Sequence, residues 1–322
     1  MAIFGFAITG LSMFVLSFAS TFSVALIACI LMGFGAMALN TVGNTLIPVV
    51  LFDGKDPARA SNLGNGFFGF GYILTPLLIV FILKTLNLDY SIALIIIGIL
   101  SIIFLVFTLT TSFPRISTGF KFSMAFKVLL KPAVLVAALA LFCYISLEIS
   151  MGTWIKKLME ELFGGSSNVN TAAKAGLVLS LFGVAMMAGR FLTASVKNLT
   201  SMGTKVIIFA SVLSLLAILL MIVAKGPVLG IVAVLIAGLA FAPVFPTIVG
   251  VTFAKFDSSL YGSIFGIIFA IGLLGGTFVP KFIGNLSVGS TVQQSLPIAA
   301  GIAAILLIIS LFIGRIGKPK AD

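Results

Sequence analysis

The sequence predicts an all-α membrane protein with ten transmembrane helices, and three observations point to it. Of the 322 residues, 61% are hydrophobic and only 8% are charged, against about 25% charged residues in an ordinary soluble domain. Water does not solvate a surface so poor in charge, so lipid is the expected solvent. Runs of about 20 apolar residues, the length that carries a helix across the hydrocarbon core, recur along the whole chain. No stretch alternates polar and apolar residues in the manner of a membrane barrel strand.

The runs fall at 2–20, 22–50, 61–84, 90–113, 132–156, 172–196, 204–224, 227–253, 260–286 and 294–314. The first two precede the first charged residue, Asp53. Asp53-Gly54-Lys55-Asp56-Pro57 closes the second run, and Lys84 to Asp89 closes the third. Pro114-Arg115 ends the fourth. Farther on, Gly164-Gly165-Ser166-Ser167, Lys225-Gly226-Pro227 and Lys255-Phe256-Asp257 carry the turn and charge signals. Residues 1–113 are expected to form one bundle of four helices and 132–322 a second of six. The linker between them, 114–131, interleaves Phe120, Phe122 and Phe126 with Lys121, Lys127 and Lys131. It reads either as a short helix lying in the membrane interface or as an ordinary basic linker.

Charge gives the orientation. There are 19 basic and 8 acidic residues, a formal net charge of +11. In a soluble protein that excess would suggest nucleic acid. Here the basic residues sit in short loops, so no nucleic-acid partner is expected. Lys55, Arg59, Arg115, Lys121, Lys127, Lys131, Arg190, Lys197, Lys205, Lys255, Arg315, Lys318 and Lys320 fall on the side that holds both termini. Only Lys84, Lys156, Lys157, Lys174 and Lys225 fall on the other, while Lys281 lies within a span. Basic residues favour the cytoplasmic side, so a multi-pass protein of the cell membrane with both termini in the cytoplasm is expected.

Composition also narrows the chemistry. Histidine is absent, and the two cysteines, Cys29 and Cys143, each lie in an apolar run without ligand partners nearby. No metal, cofactor or disulfide framework is expected. The sequence contains no HExxH, P-loop or GxSxG pattern, so an enzyme is not expected either.

A shift of 204 residues lays the chain on itself. Span 2–20 falls on 206–224, Asp53 on Asp257, Gly71 on Gly275, Pro76 on Pro280, and the fourth span on the tenth. Six spans separate each pair, so the repeats run parallel, and repeated halves are what transporter folds show. Residues 119–204 then have no counterpart. The expectation is a twelve-helix protein lacking its first two helices, the alternative being a ten-helix carrier.

Several segments together resemble the major facilitator superfamily, in the branch of fucose permease-like sugar symporters. Gly33 to Asn44 is similar to that branch's fourth helix, and Asn62 to Pro76 to its fifth. Phe142-Cys143-Tyr144 through Glu148 is similar to the seventh, and Gly189-Arg190-Phe191 to the end of the eighth. Phe245-Pro246-Thr247 resembles the tenth, and Gly275-Gly276 to Pro280 the eleventh. The resemblance implies two parallel six-helix bundles, here read as helices three to twelve, and alternating-access transport of a small solute. The family's signature loop and the first helix that often carries a coupling carboxylate have no match. Ala38 and Asn40 stand where an acid can occur in the fourth helix.

Glu148 is the single carboxylate deep in a span, sixteen residues past Pro132. That is on the order of 24 Å along the helix, toward the outer half. A charge near the bilayer centre costs about 2.5–3.5 kcal/mol or more, so Glu148 is expected to exchange protons or bind solute, unless neighbouring hydroxyls simply satisfy it. Asn40 and Asn44 share a helix face and either contact a polyol or join helices. Tyr144 shares the face of Glu148. Trp154 either stacks on a sugar ring or belongs to the outer aromatic belt. For Arg190 the resemblance implies a gating contact; an interface anchor is the alternative. Lys281 pairs with an anion or snorkels. Glycines at 262, 266, 272, 275 and 276, and prolines at 76, 243, 246 and 280, mark close packing and breaks in the helices.

The expected function is a monomeric secondary transporter for a small-molecule substrate, possibly a sugar, with the proton as coupling ion. A drug or metabolite exporter, which a cavity dominated by phenylalanine would support and which 31 phenylalanines leave open, is the rival within the superfamily. A non-transporting membrane subunit or inactive fragment is the rival outside it. The orientation has a direct test: an epitope tag on either terminus should stay inaccessible to antibody in intact cells and become accessible after permeabilisation. Labelling from outside would reverse the topology.

Overall fold

A computed structural model describes residues 1–114, 127–165 and 169–316, and among these there is no strand. The interface-helix reading of 114–131 rests on residues 115–126, outside the described residues. The helices are α1 Ala2–Ser17, α2 Phe22–Val50, α3 Pro57–Val80, α4 Tyr90–Thr110, α5 Pro132–Leu162 and α6 Val169–Ala194. They continue with α7 Leu199–Val223, α8 Pro227–Phe241, α9 Val244–Phe253, α10 Tyr261–Ser287, α11 Val292–Ser295 and α12 Pro297–Ile313. Among the described residues nine helical segments are long and apolar enough to cross a membrane, α8 and α9 counting as one. At the first expected span, 2–20, lies the shorter apolar helix α1.

The outer surface is oily. Phe22, Phe107, Phe209 and Val228 are all largely exposed, and dozens of other large apolar side chains join them. A soluble monomer rarely exposes apolar patches beyond a few hundred Å², so this is the surface of a multi-pass membrane protein.

The chain divides into two compact units. One comprises Met1–Leu46 with Gly71–Ser117, the other Ile47–Phe70 with Thr118–Asp322. The first half of α3 therefore groups with the C-terminal helices, and its second half with the N-terminal ones.

In the first unit α1 packs along α4. Gly35 lets α2 approach α1 closely, since a Cβ there would collide with the backbone of Thr9 and Gly5. In the second unit α7 packs along α12. These are the pairs that the 204-residue shift equates, so each unit repeats the same helix pairing internally.

The second unit is built around α5, which packs against α6, α9, α10 and α12. Leu141, Tyr144, Leu147, Met151, Ile155 and Met159 of α5 are fully buried. The closest seam joins α5 to α10. Cβ atoms at Gly272, Gly275 and Gly276 would strike α5, and at Gly275 the obstacle is the Phe142 carbonyl and the Ser146 hydroxyl. Small residues serve this purpose where lipid supplies no hydrophobic drive between helices.

Of the prolines, Pro243 coincides with a break: α8 stops at Phe241, and α9 starts at Val244. The expectation that Pro76 and Pro280 interrupt their helices is not met, because α3 and α10 run through both positions. At Pro280 the carbonyl is engaged by a neighbour, accepting the Trp154 indole N–H at 2.9 Å.

The seam has a direct test. In a Cys29→Ser background a thiol-reactive dye reports unfolding through the buried Cys143. Gly275→Leu should lower the thermal midpoint by several degrees, as overpacking costs about 1–3 kcal/mol. Gly262, with nothing within 4 Å of a Cβ, should tolerate alanine and gain up to about 1 kcal/mol of helix propensity. Equal losses at both positions would rule out the close approach.

Candidate functional site

Glu148 lies sixteen residues from the start of α5 and fourteen from its end. The helix runs six residues beyond the apolar span, so the acid sits near its middle rather than toward one end. The extension is charged, and Lys156 and Glu160 pair along it at 3.9 Å.

Arg190 of α6 faces Glu148. Its Nη2 donates to Glu148 Oε1 at 3.2 Å. Nη1 donates to the Asn65 carbonyl at 3.2 Å, and Nε to the Ala242 carbonyl at 3.4 Å. The guanidinium side chain is only 7% exposed, the Glu148 side chain 31%. The fork of fixed donors thus spans three elements, α5, α3 and the α8–α9 break. An ordinary interface anchor would point its charge to water, and this one does not.

The residue before Arg190 explains how it gets there. A Cβ on Gly189 would collide with the Ala242 Cβ and crowd the Leu239 carbonyl. Glycine therefore lets α6 lie against the end of α8, which brings the Ala242 carbonyl within reach of the arginine. That carbonyl sits at the helix break ahead of Pro243, and the residue four positions on, Pro246, has no N–H to offer it.

Tyr144, one turn before Glu148, is fully buried. Its ring packs against Phe241 and Phe245 at 6.2 and 6.1 Å, and its hydroxyl has no hydrogen-bond partner among the described residues. Trp154 is spent on Pro280, and its ring fills the space over Gly284. Asn40 and Asn44 belong to the first unit. There they bond to each other, Asn44 Nδ2 donating to Asn40 Oδ1 at 2.6 Å. Asn44 is buried and Asn40 half-buried. Lys281 is exposed on α10.

Sequence reasoning missed the polar residues of α3. Asn62 is fully buried and donates to Thr247 Oγ1 of α9 at 2.9 Å. Phe191 meets Phe67 edge-on at 5.4 Å, and Met187 fills the space beside Gly69. The available signal is weak: Ser61, Asn62 and Asn65 recur on one face of a helix whose apolar run starts only at residue 61.

Residues 1–280 match the family model described as Major Facilitator Superfamily. The chain belongs to that superfamily. Its fold is shared with the E. coli fucose:proton symporter FucP, at TM-score 0.76 and 19% identity over 97% of this chain and 82% of that one. The human organic anion transporter MFSD10 follows the same fold, at TM-score 0.72 and 14% identity, with 96% and 76% covered. The proton:xylose symporter XylE does so at TM-score 0.71 and 14% identity, with 98% and 80% covered. A search of curated protein sequences finds no match. This superfamily membership and fold point to membrane transport rather than catalysis.

The Glu148–Arg190 contact predicts non-additive mutations. Residues that share a bond show coupling of about 0.5–3 kcal/mol in double-mutant cycles. Glu148→Gln with Arg190→Gln should therefore lower the thermal midpoint by less than the sum of the two single losses. Strict additivity would dissolve the pair.

Proposed function

We propose that this superfamily member is a secondary active transporter that moves a small polar solute, a sugar, together with protons by alternating access. In this reading it resides in the cell membrane with both termini in the cytoplasm. The observation that carries it is Glu148, a carboxylate midway along a membrane-spanning helix, one-third exposed and hydrogen-bonded to the buried Arg190. A carboxylate at that depth is costly unless paired or protonated. Its partial exposure gives protons a path to it, and protonation would remove the charge that Arg190 holds. The fucose and xylose symporters that share the fold are proton-coupled by name, which supports the same coupling here.

In this proposal Glu148 is the coupling acid and Arg190 the gating partner. Asn40 and Asn44 supply amides to solute hydroxyls, which requires that their mutual bond open. Tyr144 stands behind Glu148, and Trp154 shapes α10 through Pro280 in place of a ring-stacking role. The rival reading, export of apolar solutes, draws on the cluster of Phe67, Phe70 and Phe191, whose rings lie 5.4–6.1 Å apart.

The test uses the full chain in proteoliposomes. Hexoses, pentoses and deoxyhexoses are first ranked by the shift each produces in the thermal midpoint. For the best of them an inward proton gradient should drive accumulation in the wild type and fail to do so in Glu148→Gln, while solute exchange at equal pH persists. Gradient-driven uptake that survives Glu148→Gln would remove the acid from coupling. Stabilisation by apolar drugs alone, with no sugar effect, would favour the exporter.

A further inference from the structure

The end of α5 away from Pro132 carries a polar cleft. Helix α5 has 31 residues, about 46 Å of helix against a hydrocarbon core of about 30 Å. Its last turns, which hold Lys156, Lys157, Glu160 and Glu161, therefore stand at the depth of lipid headgroups. There the end of α5, the end of α10 and the start of α11 enclose about 310 Å³. Glu148 lies twelve residues before Glu160, about 18 Å back along the helix, so this cleft is separate from the site described above.

Its walls are held by bonds that leave particular groups free. Trp154 lines it, fixed by its bond to the Pro280 carbonyl. Glu161 ties α11 to α5, Oε1 accepting from Val292 N at 2.9 Å and Oε2 from Gln293 N at 3.3 Å. The hydroxyls of Thr153, Ser287 and Ser290 donate their single protons to the Ile149, Gly284 and Leu286 carbonyls. Toward a ligand these hydroxyls can only accept. Lys157 is exposed and makes no hydrogen bond or ion pair among the described residues. Lys156 meets Glu160 only at 3.9 Å, too long for a hydrogen bond. The Glu160 side chain is nevertheless just 12% exposed. Taking a carboxylate so far out of water without a hydrogen bond is costly, and a close ammonium would supply what Lys156 does not.

The cleft thus offers a free cation on one hand, and an underbonded acid with acceptor hydroxyls on the other. A ligand carrying both signs satisfies both. Lysine suits a phosphate, and the acceptors suit a primary ammonium, which has three N–H groups to give. An apolar stripe runs up to the cleft. Phe278, Phe282 and Leu286 are exposed, and their spacing of four puts them on one face of α10, just below Ser287 and Ser290. We propose that the cleft binds a phosphate ester bearing a primary ammonium, with Lys157 on the phosphate and Glu160 and the serine hydroxyls on the ammonium. An ethanolamine phospholipid and free phosphoethanolamine share this chemistry. The stripe favours the lipid, because it gives acyl chains a path beneath the headgroup. The inference needs only the membrane setting, so its failure would leave the role of Glu148 untouched.

The test titrates the purified full chain in detergent and counts bound molecules by native mass spectrometry. Separate arms use dioleoyl phosphatidylethanolamine, phosphatidylcholine, phosphatidylglycerol and free phosphoethanolamine. The ethanolamine lipid should bind in preference to the other two lipids. Lys157→Gln and Glu160→Gln should each weaken it about tenfold, the scale of one lost hydrogen bond to a charged group. Lys225→Gln, at an exposed lysine beside the neighbouring hollow at the same end, should leave binding unchanged. Equal binding of the three lipids would overturn the site. An equal loss in Lys225→Gln would also overturn it, because it would mark bulk charge attraction. Free phosphoethanolamine binding as tightly as the lipid would uphold the headgroup chemistry and overturn the part given to the stripe.

Discussion

Hydrocarbon offers no hydrogen bonds, and this constraint organises the whole structure. Every backbone group and every charge within the span must find a partner inside the protein. Regular helices satisfy most of the backbone. The remaining groups lie at helix ends, at the α8–α9 break and on a few polar side chains, and these are where the informative contacts gather. Arg190 takes the Ala242 carbonyl left over at the break. Lys255 donates to the Ile313 and Ile316 carbonyls at the end of α12, both at 2.6 Å. Gln293 donates to the Met221, Ile222 and Ala224 carbonyls at the end of α7. Asp56 and Glu161 accept from helix-start amides. These charged and amide side chains serve helix ends.

The Glu148–Arg190 pair departs from that pattern in a useful way. Arg190 is nearly dry and multiply bonded, while Glu148 keeps a third of its side chain exposed. The guanidinium keeps its charge at any physiological pH, and its other bonds run to α3 and to the α8–α9 break.

Much of the fold was legible because the apolar period and length report burial in lipid directly. The spans expected at 90–113 and 227–253 match Tyr90–Thr110 and the pair Pro227–Phe241 and Val244–Phe253. Helix ends were legible only where a turn signal coincided with the edge of the hydrocarbon. α5 runs on to Leu162 through Lys156, Lys157, Glu160 and Glu161, and α3 starts at Pro57 ahead of Arg59. Apolar runs mark the part of a helix that lipid touches, and backbone hydrogen bonding continues past it. Glycines 272, 275 and 276 were readable as close packing, and the seam with α5 bears this out.

By itself, then, the sequence determined that the chain lies in a membrane, where its apolar helices run, that their register recurs after 204 residues, and that one acid is embedded. Each of these follows from local composition and from register along the chain. Only the tertiary structure decided that Arg190 turns inward to that acid, that Trp154 serves Pro280, and that Asp56 caps a helix more than a hundred residues away. Which donor meets which acceptor across helices depends on where glycine lets two backbones touch and on how the helices are arranged. Those are distances in space, and spacing along the chain does not encode them.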